Sequence, residues 1–166
     1  MAAMDNPDIL LQRPLSVSPK RVFRAWTDPN ELERWFFTDC QIDARLGGVY
    51  RFNWRAKDNP NRDHARFGTI LDFEEPRALS FEWDGFRIKR QEKPTAVSIS
   101  IEDNEDGSML TLVHSGWGDE PEWQEERRSH IAGWSFYLDN LKRFLEGGPD
   151  LRPQHWGQLV KATFGH

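Results

Sequence analysis

Toward the C-terminal end of the chain, apolar positions recur at intervals of three and four. Ile131, Trp134, Leu138, Leu141 and Leu145 share one helical face, and His130, Tyr137 and Phe144 widen it on one side. Glu122, Glu125 and Glu126 lead and Lys142 and Arg143 trail, the charge order that the helix dipole favours. Pro121 suits a helix start and Gly147-Gly148-Pro149 a stop. The pattern predicts one long amphipathic helix over residues 122–146, which must find a large apolar partner.

Upstream the period is different. Residues 8–14 hold the short apolar run Ile9-Leu10-Leu11, a first strand that ends near Pro14. Ser18-Pro19 opens a short helix with Val22, Phe23 and Trp26 on its buried face. Asp28-Pro29-Asn30-Glu31 repeats the start signal, with Glu31 at the capping-box position, and Leu32, Trp35 and Phe36 follow as a second buried face. Alternation then takes over. Gln41-Ile42-Asp43 is a short strand, Gly47-Gly48 a turn, and Tyr50, Phe52 and Trp54 lie on one side of the next strand. Residues 57–63 read as a polar loop. Phe67, Leu71 and Phe73 share a face, as do Leu79, Phe81 and Trp83. Residues 85–93 are a charged loop, Val97, Ile99 and Ile101 mark another strand, and Asn104-Glu105-Asp106-Gly107 is a hairpin turn into a last strand that presents Leu110, Leu112 and His114 together. A possible first strand, two short helices, a run of about five or six antiparallel strands and one long helix make an α+β domain, in which a curved sheet covers the apolar stripe of the helix. The domain spans residues 1–146. Residues 147–166 are a linker and a tail whose Trp156, Leu159, Val160 and Phe164 would dock on the domain or on a second copy, as in a homodimer.

Composition narrows the function classes. At 166 residues one domain is expected, with 37% hydrophobic and 30% charged residues. Eight Trp and eleven Phe against two Tyr are enough aromatic area to fill a core or to line an apolar cavity. A net charge of −5 with no basic cluster argues against a nucleic-acid partner. Cys40 stands alone, which excludes an intrachain disulfide and favours a reducing compartment. No run has signal-peptide or membrane-span character, so the sequence reads as a cytoplasmic protein. His64, His114, His130, His155 and His166 include no pair at metal-ligand spacing, and Gly-x-Ser-x-Gly does not occur; neither a metal nor another cofactor is implied.

Several stretches together carry a family likeness. Residues 18–35 (Ser-Pro-Lys-Arg-Val-Phe-Arg-Ala-Trp-Thr-Asp-Pro-Asn-Glu-Leu-Glu-Arg-Trp) resemble the opening of the START-like, Bet v 1-like (SRPBCC) proteins, and in particular of the branch named after the activator of Hsp90 ATPase. Gly47-Gly48-Val49-Tyr50-Arg51-Phe52, then residues 68–73 with 76–83, then 111–117 and 133–141 match its later steps in order, so that the likeness runs from about residue 8 to 146. The resemblance implies a helix-grip fold, a strongly curved antiparallel sheet around the C-terminal helix, often with a cavity between them. It also implies three functions found in that superfamily: binding of lipids or other apolar molecules, aromatase-cyclase chemistry on polyketide chains, and regulation of a chaperone.

On this reading Tyr50, Phe52, Trp54, Phe67, Phe81, Trp83, Trp134 and Tyr137, with Phe73 beside them, line a cavity for a small apolar or aromatic molecule, or else form plain core. His114 and His130 point into the same space, either as a ligand-orienting or acid/base pair or as two satisfied, partly buried histidines. Arg51, Arg55, Arg66 and Glu82 fall on the opposite parity and belong to the solvated face, unless a bulge turns one inward. A binding protein is the leading expectation, an enzyme of cyclase or hydrolase type the second, and a chaperone partner or other protein-interaction role the third.

Overall fold

The computed structural model describes residues 7–55, 63–86, 88 and 93–153. Most of the loop expected at 57–63, part of the one at 85–93 and the whole tail from 154 lie outside them. Among the described residues, seven strands and three helices follow one another as β1 (Ile9–Leu15), α1 (Pro19–Thr27), α2 (Pro29–Trp35), β2 (Asp39–Ile42), β3 (Val49–Trp54), β4 (His64–Glu74), β5 (Ala78–Trp83), β6 (Thr95–Asn104), β7 (Gly107–Ser115) and α3 (Pro121–Leu145). Hairpin after hairpin gives an antiparallel sheet in the order β1-β7-β6-β5-β4-β3-β2, closed at neither end. This is the α+β helix-grip arrangement.

Local signals account for the helix ends. Ser18 accepts a hydrogen bond from the Arg21 amide, and Asp28 accepts one from the Asn30 amide. The expected capping box at Glu31 does not close. Asp28 is also the C-cap of α1, so its amide already donates to the Arg24 carbonyl, and Glu31 pairs instead with Arg21 at 2.6 Å and Arg24 at 2.9 Å. The Gly47-Gly48 turn depends on its glycines: Gly47 has φ +79°, and a Cβ on Gly48 would sit 2.0 Å from the Asp43 carbonyl oxygen.

The inward faces of β3, β5, β6 and β7 follow the predicted alternation, with Tyr50, Phe52, Trp54, Leu79, Phe81, Trp83, Val97, Ile99, Ile101, Leu110, Leu112 and His114 all buried. Strand β4 corrects the prediction. Its register shifts between Ile70 and Asp72, so Leu71 is an extra residue and the parity reverses there. Phe73 points inward on one side of the bulge and Ile70 on the other. Phe67 is therefore 37% exposed on the outer face, and Arg66, expected in solvent, is buried at 3%. Leu71 is exposed as well.

Helix α3 buries Trp123, His130, Gly133, Trp134, Tyr137, Leu138, Asn140 and Leu141. Ile131, Phe144 and Leu145 are only partly covered, so the stripe is centred nearer the His130–Tyr137 side than its aliphatic spacing suggests. The segment beyond Gly147, expected as a plain linker, is pinned. Buried Asn140 donates to the Trp35 carbonyl and to Asp150, and accepts from the Leu151 amide. Arg152 pairs with Asp150 and donates to the Phe37 and Glu33 carbonyls. A single polar side chain inside the apolar stripe thus receives the chain as it leaves the helix.

Candidate functional site

The interior between sheet and α3 divides into two parts. Toward the C-terminal half of the helix it is filled by rings. Phe36 stacks on Phe37 at 3.8 Å and on Trp35 at 4.8 Å, Phe37 stacks on Phe52 at 3.9 Å, and Tyr137 meets Phe36 at 4.8 Å. Trp83, Trp134 and Tyr137 were expected to line a cavity or else to form plain core. All three are buried, and Trp83 and Trp134 lie 5.1 Å apart. Aromatic rings of this size close the space by meeting one another. Burial raises the Tyr137 hydroxyl well above the usual phenol range, opposed by the Trp54 indole beside it.

Toward the N-terminal half a chain of hydrogen bonds begins and ends on α3. The Trp134 indole can only donate, and it donates to His114 Nδ1 at 3.0 Å. His114 must then carry its proton on Nε2, which donates to Thr95 Oγ1 at 2.9 Å. The Thr95 hydroxyl passes its own hydrogen to the Trp83 carbonyl at 2.7 Å. The Trp83 indole donates to His130 Nε2 at 3.2 Å, which leaves the proton on Nδ1, 2.8 Å from the Glu126 carbonyl that accepts it. Each donor therefore fixes the tautomer of the next ring, and the chain ties α3 to β7, β6 and β5 in turn. Both histidines are held neutral. Burial, then the charge of His130 and of Arg66, pushes His114 far below the ordinary imidazole range; burial, then Arg66, lowers His130 to about 3.

A pocket of about 130 Å³ opens beside this chain, between the β5–β6 connection and the first turn of α3. Phe86, Ile88, Pro94 and Trp123 give it apolar walls, Phe67 stands at its side, and Asp84, Lys93 and Thr95 supply its polar groups. Phe86 is clamped in place: the Arg66 guanidinium lies 4.6 Å from its ring centre, Trp123 packs at 4.8 Å and His130 at 5.4 Å. Arg66 also donates to the Ala65 and Gly85 carbonyls, which fixes the chain leading into Phe86.

The structure thus brings His114, His130, Trp83 and Trp134 into one connected group, puts Tyr50, Phe52, Trp54, Phe81 and Tyr137 into the packed interior, and leaves Phe67 on the outer face of β4 at the edge of the pocket. Sequence reasoning missed Phe86, Thr95, Trp117 and Trp123, and allowed for Arg66 only as one of four residues that a bulge could turn inward. Trp117 donates to the His114 carbonyl and packs against both histidines, so the Ser115-Gly116-Trp117-Gly118 stretch after the last strand carried a usable signal. Phe86 and Ile88 stand alone among charged residues, and only their position reveals them. Among the described residues no group of His, Cys, Asp and Glu could hold a metal ion, and no helix is long and apolar enough to cross a membrane.

Known proteins align with this geometry. The model of the family described as Activator of Hsp90 ATPase homolog 1-like protein matches residues 16–146. Protein CV1439 from Chromobacterium violaceum is 27% identical with a TM-score of 0.69, over 86% of this chain and 99% of its own. CalU16 from Micromonospora echinospora is 26% identical with a TM-score of 0.60, over 94% and 85%. The Aha1 dimer from Colwellia psychrerythraea, at 18% identity and a TM-score of 0.69 over 85% and 97%, shares the fold. A search of the curated proteins returned no match.

Proposed function

The chain belongs to the Activator of Hsp90 ATPase homolog 1-like family, and from that premise we propose that it binds a small, uncharged, aromatic or apolar molecule, at the mouth of the helix grip and not at its centre. The observation that carries this reading is the pocket bounded by Phe86, Ile88, Pro94 and Trp123 beside the His114–Thr95–Trp83 chain. Its volume of about 130 Å³ is close to that of an apolar cavity that accepts benzene, roughly 150 Å³. One ring or a short aliphatic chain fits; a lipid tail or a folded polyketide does not. The walls are apolar, and the histidines behind them are held neutral. Asp84 and Lys93 carry opposite charges, so the lining has no preferred sign for an ionic ligand.

A binding role is favoured over the cyclase- or hydrolase-like reading by the same hydrogen bonds. An imidazole that acts as acid or base needs a ring nitrogen turned toward a substrate, and both nitrogens of His114 and of His130 are already engaged. A chaperone-regulating role rests on the description of the family, whereas the pocket belongs to this chain.

Phenol, benzylamine and benzoate, as neutral, cationic and anionic one-ring probes, test the reading by thermal shift and calorimetric titration. Phenol raises the melting temperature and binds best of the three, and Phe86→Ala and Trp123→Phe each weaken it at least about tenfold. No binding of any probe at millimolar concentration, or binding that neither substitution alters, overturns it.

A further inference from the structure

The connection from α2 to β2 carries the rings that fill the packed end. Helix α2 ends at Trp35 and β2 begins at Asp39, so Phe36 and Phe37 belong to neither element. The amides of this connection are bonded inward, Phe36 and Phe37 to the Leu32 carbonyl and Thr38 to that of Asn53. The carbonyls of the last turn of a helix have no partner within it. Here they are taken up from the far end of the chain. Arg152 donates to the Glu33 and Phe37 carbonyls and Asn140 to that of Trp35, each at 2.9 Å. The grip falls on both sides of Phe36, and the Arg152 guanidinium stands where the α2 dipole favours a cation. Asp150 and the Leu151 amide bind Asn140 in turn, and Asp150 pairs with Arg152 at 2.9 Å, so these contacts form one unit.

The closed arrangement leaves polar atoms unsatisfied. The Trp26 indole lies edge-on to Phe36 at 6.0 Å, and its buried N–H has no acceptor among the described residues. Tyr137 meets the other side of the cluster, 4.8 Å from Phe36, and its hydroxyl hydrogen has no acceptor either, because the Trp54 indole beside it can only donate. Buried donors without acceptors disfavour the closed form, and displacing Phe36 would let water reach them. The segment that holds Phe36 in place follows a glycine pair: Gly147 has φ +77°, and Gly147, Gly148 and Asp150 are exposed. We propose that residues 147–153 are a latch on an aromatic plug. With Arg152 seated, Phe36 and Phe37 seal the packed end of the helix grip. With it released, the plug swings aside and water enters the grip at the end away from the pocket. The hydrogen bonds of the latch and the stranded donors under the plug act in opposite directions, which brings the two states close in free energy.

Hydrogen exchange followed by NMR, with the full chain, tests the proposal. In Arg152→Ala the Phe36, Phe37 and Thr38 amides exchange at least about tenfold faster than in the wild type, and the Trp26 indole hydrogen accelerates with them. The Trp134 indole hydrogen, bonded to His114 at the other end of the grip, keeps its rate, as do the amides of β6 and β7. Asp150→Ala, at an exposed position, gives the same pattern more weakly and serves where Arg152→Ala fails to fold. Arg13→Ala removes a comparable polar tie, from β1 to Asp139 and Ser135 of α3, and leaves the plug amides unchanged. Three results overturn the proposal: plug amides indifferent to both latch variants, an acceleration spread evenly over β6 and β7, or a Trp26 indole that stays protected while the Phe36 and Phe37 amides speed up.

Discussion

The two halves of α3 grip the same sheet by different physics. From Tyr137 to Leu141 the helix meets Phe36 and Trp54 ring against ring, with Phe37 stacked on Phe36 and Phe52 on Phe37 behind them. From Trp123 to Trp134 it is tied to β7, β6 and β5 by directed hydrogen bonds through His114, Thr95, Trp83 and His130. Dispersion and apolar burial tolerate any orientation that fills space, whereas a hydrogen-bond chain specifies which atom faces which. The pocket lies at the directed end, where polar bonds hold the walls apart, and the other end is packed shut.

The largest difference should come from emptying the packed end. Phe36 is fully buried and stacked on both sides, so Phe36→Ala should cost about 3–5 kcal/mol, measured by urea denaturation. A loss under about 1 kcal/mol would mean that this end is not the main apolar support of the fold.

Acid should act at the other end. His114 and His130 titrate near their ordinary 6.5 when unfolded and far lower when folded. The unfolded chain then binds more protons, so stability is complete above about pH 6.5 and is lost as pH falls toward about 3 for His130. Each histidine contributes about 1.4 kcal/mol per pH unit, or roughly 3 kcal/mol for the pair between pH 7.5 and 5.5. Glu126, raised by burial, works in the opposite sense nearer 4.5. Stability that is flat from pH 7.5 to 5.5 would show that the histidines are solvated.

How far the sequence foretold this division depends on what each feature rests on. Strand order, the helix starts and the inward faces of β3, β5, β6 and β7 follow from period and turn residues, which are local properties. Strand β4 was misread because a bulge shifts the phase without altering composition: Phe67 and Arg66 exchanged faces although alternation looked intact on either side. Asn140 was overlooked for a related reason, since one polar residue in an apolar stripe is unremarkable until Asp150 and Leu151 fold back on it. The pairing of His114 with His130 was legible, because both occupy apolar faces. Their tautomers were not, because these are set by Trp134 and Trp83, far away in sequence.

Breaking one link of the chain should cost less than the acid effect. His114→Leu keeps the volume near that of imidazole but strands the buried Trp134 indole N–H, for a loss of about 1–3 kcal/mol in urea denaturation at pH 7.5. The same variant should lose about half of the pH dependence, since one of the two titrating groups is gone. Full pH dependence in His114→Leu would assign the acid sensitivity to His130 alone.

The smallest effect should come from the packed end, and it separates the two halves most cleanly. Trp26 is buried among Trp35, Phe36 and Trp134, and its indole N–H has no hydrogen-bond acceptor among the described residues. Trp26→Phe removes part of a ring, which costs packing, and also removes an unsatisfied donor whose burial costs about 1–3 kcal/mol. The two terms oppose each other, so the net change should fall within about 1 kcal/mol of zero. Trp134→Phe makes the same chemical change at the directed end, but there the lost N–H was the first donor of the chain. His114 Nδ1 is then left without its hydrogen, and both terms have the same sign. If packing alone governed both ends, the two Trp→Phe variants would be equally costly. A larger loss in Trp134→Phe than in Trp26→Phe, measured in the same urea series, is the expected signature of a helix held by position at one end and by volume at the other.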